Sequence, residues 1–143
     1  MHASVRWLEN VAFEAESATG HHVIMDGSPE YGGQNRGARP MELILMGLGG
    51  CASFDIVTIL KKARQDISDV RCELKAERAD AIPAVFTKIH LHFVVTGRKV
   101  KPNQVEKAVH LSADKYCSAS KMLMDAGVEI THDFEVIELE AAE

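Results

Sequence analysis

The sequence predicts an α+β domain built around one long central helix, and three hydrophobic patterns indicate this class. Short segments that alternate between apolar and polar residues come first, an almost continuously apolar segment follows, and two further alternating segments precede two helical ones. The predicted order is β-β-α-β-β-α-α-β over residues 1–143, a length that suits one domain. A composition of 46% hydrophobic and 26% charged residues is typical of a folded globular chain.

The first 26 residues predict two short strands. Val11, Phe13 and Ala15 alternate with residues of the other face, and a second run from His21 to Asp26 follows a turn. Residues 27–39 contain four glycines, which predicts a loop.

The most apolar segment, residues 41–60, predicts a long helix that Pro40 opens. Because the segment is apolar almost all the way round, we expect the helix to be buried on every side. A monomer of 143 residues encloses such a helix with difficulty, so we expect a second subunit to cover part of it.

The remaining chain predicts a long antiparallel hairpin, two helices and a closing strand. A turn at residues 80–84 joins the two strands of the hairpin, and a break near Cys117 separates the helix that begins at Pro102 from a short one that Gly127 ends. The inward residues of the hairpin are Val70, Cys72, Leu74, Ala76, Ile89, Leu91, Phe93 and Val95.

Charge and hydropathy exclude several classes of partner. The net charge is −5 and acids and bases are interleaved, so no basic stripe is available to bind nucleic acid. No stretch comes near the roughly 18 apolar residues of a membrane span. The N-terminus lacks the apolar run of a signal peptide, so we expect a cytoplasmic protein without a membrane partner.

Three separated cysteines without a C-x-x-C pair indicate buried fillers or reactive thiols rather than a disulfide scaffold. Cys72 lies on the apolar face of a strand, where a small hydrophobe is expected. Cys117 falls at a helix break, where free N–H groups would lower the pKa of its thiol; a packed cysteine at a bend is the alternative.

Cys51 directly follows a glycine-rich stretch of the long helix. Gly47, Gly49 and Gly50 each weaken the helix by about 1 kcal/mol relative to alanine. They also allow a close backbone approach, a kink, or space for a substrate beside the sulfur. An ordinary core cysteine is the alternative. Asp55, one turn later, would raise the pKa of this thiol, unless its carboxylate points to a neighbouring cation or to solvent.

His90 and His92 put two imidazoles on one strand face, a spacing that some zinc sites use. No third ligand is evident by spacing, and such a pair on a polar face is more often solvated. The sequence therefore predicts no metal site.

Two motifs resemble those of the OsmC/Ohr family, and within it the YhfA-like subgroup. Residues 38–51 read ARPMELILMGLGGC, in which a proline opens the helix and a cysteine follows eleven residues later. Sixty-six residues beyond Cys51, residues 114–120 read DKYCSAS, which is similar to the second cysteine motif of the family. The order of strands and helices also fits, so the resemblance covers essentially the whole chain.

The resemblance implies an OsmC-like fold, with antiparallel sheets, a buried central helix and an intertwined homodimer. It also implies an antioxidant function in the oxidative stress response, a cysteine-based peroxidase that reduces organic hydroperoxides. In that cycle Cys51 becomes a sulfenic acid, Cys117 condenses with it to a disulfide, and an external dithiol restores both thiols. No metal or organic cofactor takes part.

Two departures from the family pattern concern the groups that support the reactive thiol. The family glutamate that follows the proline is replaced by Met41, and the adjacent Glu42 lies close to the opposite side of an unbroken helix from Cys51. Arg36 and Arg39 are the candidates for the arginine that pairs with that glutamate. The alternative function is therefore a protein of the same fold without efficient peroxidase activity. It would bind or sense a small hydrophobic ligand, held between Met41, Met46 and the dimer partner.

Overall fold

A computed structural model describes residues 1–140, which form two compact units. The first comprises residues 1–46 and the second begins at Gly47; each is described by itself. The chain contains six strands and three α-helices in the described residues. The predicted order of elements is confirmed except for one additional strand at the start.

The first unit carries an antiparallel sheet of three strands, β1 (Ala3–Glu9), β2 (Ala12–Ser17) and β3 (His22–Asp26), paired in chain order. The sequence predicted only β2 and β3. Every residue of β1 is exposed in this chain, so burial gives it no distinct inner face. In β2, Ala12 is buried whereas Phe13 is 37% exposed.

The loop that follows β3 is fastened by the side chain of Asp26, which is 2% exposed. Its Oδ2 accepts the backbone N–H groups of Gln34 at 3.0 Å and of Arg36 at 3.1 Å. These hydrogen bonds hold the pKa of Asp26 below its usual value, although burial opposes the shift.

Helix α1 (Pro40–Lys62) is confirmed as a helix of 23 residues that proline opens. Glu42 Oε1 accepts the N–H of Arg39 at 2.8 Å, the arrangement of a capping box in which the third helical residue reaches back to the N-cap. Within the second unit the buried residues form one stripe, whereas Phe54 is 72% exposed. The single chain therefore does not bury the helix on every side.

The expectation that no segment reaches the length of a membrane span was wrong for α1. Its length and a mean hydropathy of 2.0 over 18 residues are sufficient for a span. Length and composition alone do not establish a span, because the core helix of a soluble protein can meet the same criteria.

The second unit carries a sheet of β4 (Asp66–Arg78), β5 (Phe86–Arg98) and β6 (Glu129–Glu138). β4 and β5 form the predicted antiparallel hairpin, but β6 runs parallel to β5, which corrects the prediction of purely antiparallel sheets. A parallel neighbour needs a long crossover connection. Residues 99–128 provide it with helix α2 (Pro102–Leu111), a π-helical turn (Ser112–Tyr116) and helix α3 (Ser118–Asp125).

The core of the second unit lies against the inner face of β5. The predicted alternation is confirmed in β5, where the inward residues are buried, and in β4, where they are half-buried. The fully or nearly fully buried apolar side chains of this core are Leu48, Ile56, Leu60, Ile89, Leu91, Phe93, Val95, Val105 and Val109. This core fixes the second part of α1 and the crossover, the two segments that carry Cys51 and Cys117.

Candidate redox site

Cys51 lies in the middle of α1 and is half-buried. Gly49 lets the helix approach β4, since a Cβ built there would lie 2.8 Å from Leu74 Cδ1. A Cβ on Gly47 or Gly50 would meet nothing within 4 Å. The glycine-rich stretch thus includes one position of close packing, and α1 remains unbroken through it.

Cys117 ends the π-helical turn and is the N-cap of α3. It is 3% exposed, and its Sγ accepts the backbone N–H of Ser120 at 3.4 Å. The predicted break between the two helices is therefore present, and it directs the thiol at the first free N–H groups of α3.

The Cys51 thiol lies close enough to Cys117 to contribute to the raised pKa of the Cys117 thiol. Both are free thiols. Burial raises the pKa of Cys117, and hydrogen bonds from Ser120 oppose that shift without reversing it. The expectation that the helix N-terminus would lower the pKa of this thiol was wrong, because desolvation outweighs the helix in this buried position. Cys117 is therefore protonated at neutral pH.

Ser112 links the crossover to α1 from the start of the π-helical turn. Its hydroxyl donates to Asp55 Oδ2 at 3.1 Å and lies 3.3 Å from the carbonyl oxygen of Ala52. Ser112 is 1% exposed. The sequence left open whether Asp55 acts on the Cys51 thiol or faces a cation or solvent, and the structure pairs it with Ser112. A hydroxyl among apolar residues at helical spacing was the available signal for a buried hydrogen bond.

The predicted supporting residues have partners within the first unit. Glu42 caps its own helix through the N–H of Arg39. The Arg39 guanidinium donates to Asn35 Oδ1 at 3.3 Å and to the carbonyl oxygen of Gly37 at 3.2 Å. Arg36 pairs with a glutamate of β1 at 2.9 Å. Met41 is half-buried.

A family model described as OsmC-like protein matches residues 33–133. The chain belongs to this family. It is 47% identical over 137 residues to Protein YhfA of Escherichia coli K12, with 96% of this chain and 98% of that protein covered. The resemblance noted in the sequence is thereby confirmed.

Solved structures of other proteins share the fold. A crystal structure of a hypothetical protein from Aquifex aeolicus is 28% identical with a TM-score of 0.79, covering 96% of this chain and 97% of its own. A protein from Legionella pneumophila described as an organic hydroperoxide resistance protein is 18% identical with a TM-score of 0.69, and 96% of each chain is covered.

Cys72, the third cysteine of this OsmC-like protein, lies on the inner face of β4 and is half-buried. Burial raises the pKa of its thiol to about 11, although a hydrogen bond with Ser53 acts in the opposite direction. The thiolate, which is the reactive form, is therefore scarce at neutral pH.

The outer face of the second sheet carries the histidine pair. Both imidazoles contact one carboxylate oxygen, Asp133 Oδ1, at 2.9 Å from His90 Nε2 and 2.6 Å from His92 Nδ1. This contact raises the pKa of His92 and lowers that of Asp133. Within residues 1–140, no group of three or more His, Cys, Asp or Glu side chains is arranged to hold a metal ion.

A cavity of about 290 Å³ lies between α1 and the crossover of this OsmC-like protein. Asp55 and Tyr116, which neighbours Cys117 in the chain, border it. The other lining residues are Thr58, Ile59, Lys62 and Leu111.

Proposed function

We propose that the protein is a cysteine-based peroxidase that reduces organic hydroperoxides through a Cys51 sulfenic acid and a Cys51–Cys117 disulfide. The observation that carries the proposal is the proximity of two free thiols sixty-six residues apart in the chain, since Cys51 contributes to the raised pKa of Cys117. An organic hydroperoxide resistance protein shares the fold, which supports the same substrate class.

The surroundings of the two thiols support different roles for them. Cys51 is the more accessible, whereas Cys117 is 3% exposed. Burial keeps the pKa of Cys117 high, so this thiol retains its proton and is not the attacking nucleophile. Cys51 is therefore assigned the attack and Cys117 the resolving step.

The cycle balances with a hydroperoxide and a dithiol. The Cys51 thiolate attacks the terminal oxygen, the O–O bond breaks, and the departing alkoxide takes a proton to become an alcohol. The Cys117 sulfur then attacks the sulfenic sulfur, and hydroxide leaves with the Cys117 proton as water. An external dithiol reduces the disulfide by exchange and is itself oxidised to a disulfide.

The test adds a slight excess of cumene hydroperoxide to the reduced protein and follows free thiols and intact mass. We expect two thiols to be lost, with a mass decrease of about two hydrogens. Cys51→Ser should abolish the loss, and Cys117→Ser should stop at a sulfenic acid that dimedone traps. Cys72→Ser is the matched control and should behave as the parent protein does.

Persistence of all three thiols would contradict the peroxidase proposal and favour the alternative, a binding or sensing protein for a small hydrophobic ligand. Met41 in place of the glutamate is the feature that favours this second function. Such a protein would keep its ligand after Cys51→Ser.

We also propose a homodimer in which a second copy covers the apolar side of α1. Phe54 is 72% exposed on a helix with a mean hydropathy of 2.0, and a large exposed aromatic side chain is typical of an interface. Sedimentation velocity should give the mass of two chains, and Phe54→Asp should shift the protein toward monomer. A monomeric parent protein would contradict the proposal.

A further inference from the structure

Two hydrogen bonds link the helix that carries Cys51 to Cys117 in the second unit. Cys51 and Asp55 lie one turn apart on α1. Asp55 Oδ2 accepts the Ser112 hydroxyl at 3.1 Å, and the carbonyl oxygen of Ser112 accepts the N–H of Cys117 at 2.9 Å. The Cys51 thiol neighbours Cys117 and contributes to its raised pKa.

Ser112 contributes both ends of the connection between α1 and Cys117. Its side chain contacts α1, and its backbone carbonyl accepts the N–H of Cys117, the residue that caps the π-helical turn. A π-helical turn is wide and uncommon, so its position depends on the contacts that hold it. Ser112 is 1% exposed, so its hydroxyl needs an acceptor; without Asp55 the hydroxyl would turn to the carbonyl oxygen of Ala52 at 3.3 Å and lose its link to the side chain of Asp55.

We propose that Asp55 and Ser112 are positioning residues that hold Cys117 in place for disulfide formation with Cys51. The inference rests on the proposed function, since it concerns the resolving step of that cycle. A disulfide requires Cβ atoms about 3.5–4.5 Å apart, so a small displacement of the turn would slow closure. Asp55 acts through Ser112 as a hydrogen-bond acceptor, and its negative charge is not required.

The first measurement does not use a peroxide. Reduced protein is equilibrated with mixtures of reduced and oxidised glutathione, in which the protein dithiol forms its disulfide as one glutathione disulfide yields two thiols. The equilibrium constant reports the effective concentration of the two thiols. We expect Asp55→Ala and Ser112→Ala each to lower it about tenfold. Asp55→Asn retains an acceptor oxygen and should stay within about a factor of three of the parent protein.

The second measurement separates the two chemical steps by stopped flow with cumene hydroperoxide. Formation of the sulfenic acid should be unchanged in Asp55→Ala, whereas its conversion to the disulfide should slow about tenfold. Exposed residues of the same types provide matched controls, Asp125→Ala for the carboxylate and Ser118→Ala for the hydroxyl. Urea denaturation compares the folding of the variants. The Asp55→Asn variant keeps the test decisive if an alanine variant does not fold.

Three outcomes would overturn the inference. The first is that Asp55→Ala has the same equilibrium constant with glutathione as Asp125→Ala. The second is that Asp55→Asn lowers this equilibrium constant as much as Asp55→Ala does. The third is that sulfenic acid formation slows together with disulfide formation in Asp55→Ala. Failure of the proposed function gives a different result, because the parent protein would then form its disulfide with glutathione and still not react with the peroxide.

Discussion

The glycines that precede Cys51 differ in what a methyl group would meet at each position. At Gly50 a Cβ has nothing within 4 Å, so alanine should gain about 1 kcal/mol of helix stability. At Gly49 the same Cβ would lie 2.8 Å from Leu74 Cδ1 and 3.5 Å from Cδ2. Since carbon contacts are optimal near about 3.5–4.0 Å, the leucine would have to move or change rotamer, at about 1–3 kcal/mol.

The gain in helix propensity is common to both substitutions and cancels in their difference. The free energy of unfolding of Gly49→Ala should therefore fall below that of Gly50→Ala by about 1–3 kcal/mol. Urea denaturation followed by circular dichroism gives this difference at one fixed protein concentration, with equal m values as the condition for comparison. Leu74→Ala makes room for the methyl group, so the penalty of Gly49→Ala should vanish in that background. Equal stability of the two single variants would refute the reasoning.

Three further predictions concern titratable groups. The pKa of about 11 at Cys72 should make its alkylation by iodoacetamide at neutral pH about a hundredfold slower than that of free cysteine. Peptide mass spectrometry measures this rate, and a rate equal to that of free cysteine would contradict the burial of Cys72. The lowered pKa of Asp26 means that its stabilisation is present above its ordinary pKa of 3.8 and is lost as the pH falls through the lower folded value. The urea midpoint of the parent protein should thus fall more between neutral pH and about pH 3 than that of Asp26→Asn, and parallel pH profiles would exclude this role. The raised pKa of His92 gives stability that is present below 6.5 and is lost as the pH rises through the folded value, while the lowered pKa of Asp133 adds stability above 3.8. Asp133→Asn should therefore destabilise the protein more near about pH 5 than near about pH 8.5, and an equal penalty at both would rule out the ion pair as the cause.

The sequence predicted those elements whose hydrophobic pattern reflects burial within the second unit. The hairpin of β4 and β5 alternates cleanly because one face packs on the core. Strand β1 was missed because all of its residues are exposed, so they share no buried face that would mark a strand. The direction of β6 was also wrong, since periodicity identifies a strand but not the direction in which it pairs. Only the length of the crossover pointed to a parallel neighbour.

The sequence likewise predicted some parts of the candidate site and not others. Two cysteines in recognisable motifs could be identified, because each motif is local in the chain. The contact between Ser112 and Asp55 joins residues 57 positions apart, so no local pattern indicates it. The pKa direction of Cys117 was wrong because its depth of burial, which outweighs the helix N-terminus, is a property of the folded chain.

The π-helical turn at residues 112–116 determines the direction, about the axis of α2, in which Cys117 follows that helix. Such a turn is equivalent to one residue inserted into an α-helix, which rotates everything after it by about 100° relative to an unbroken helix. Deletion of a single residue from this turn would let the regular hydrogen-bonding pattern continue and would rotate the thiol away from α1. Substitutions within the turn should therefore be tolerated far better than any change in its length, and Ser112 is the exception.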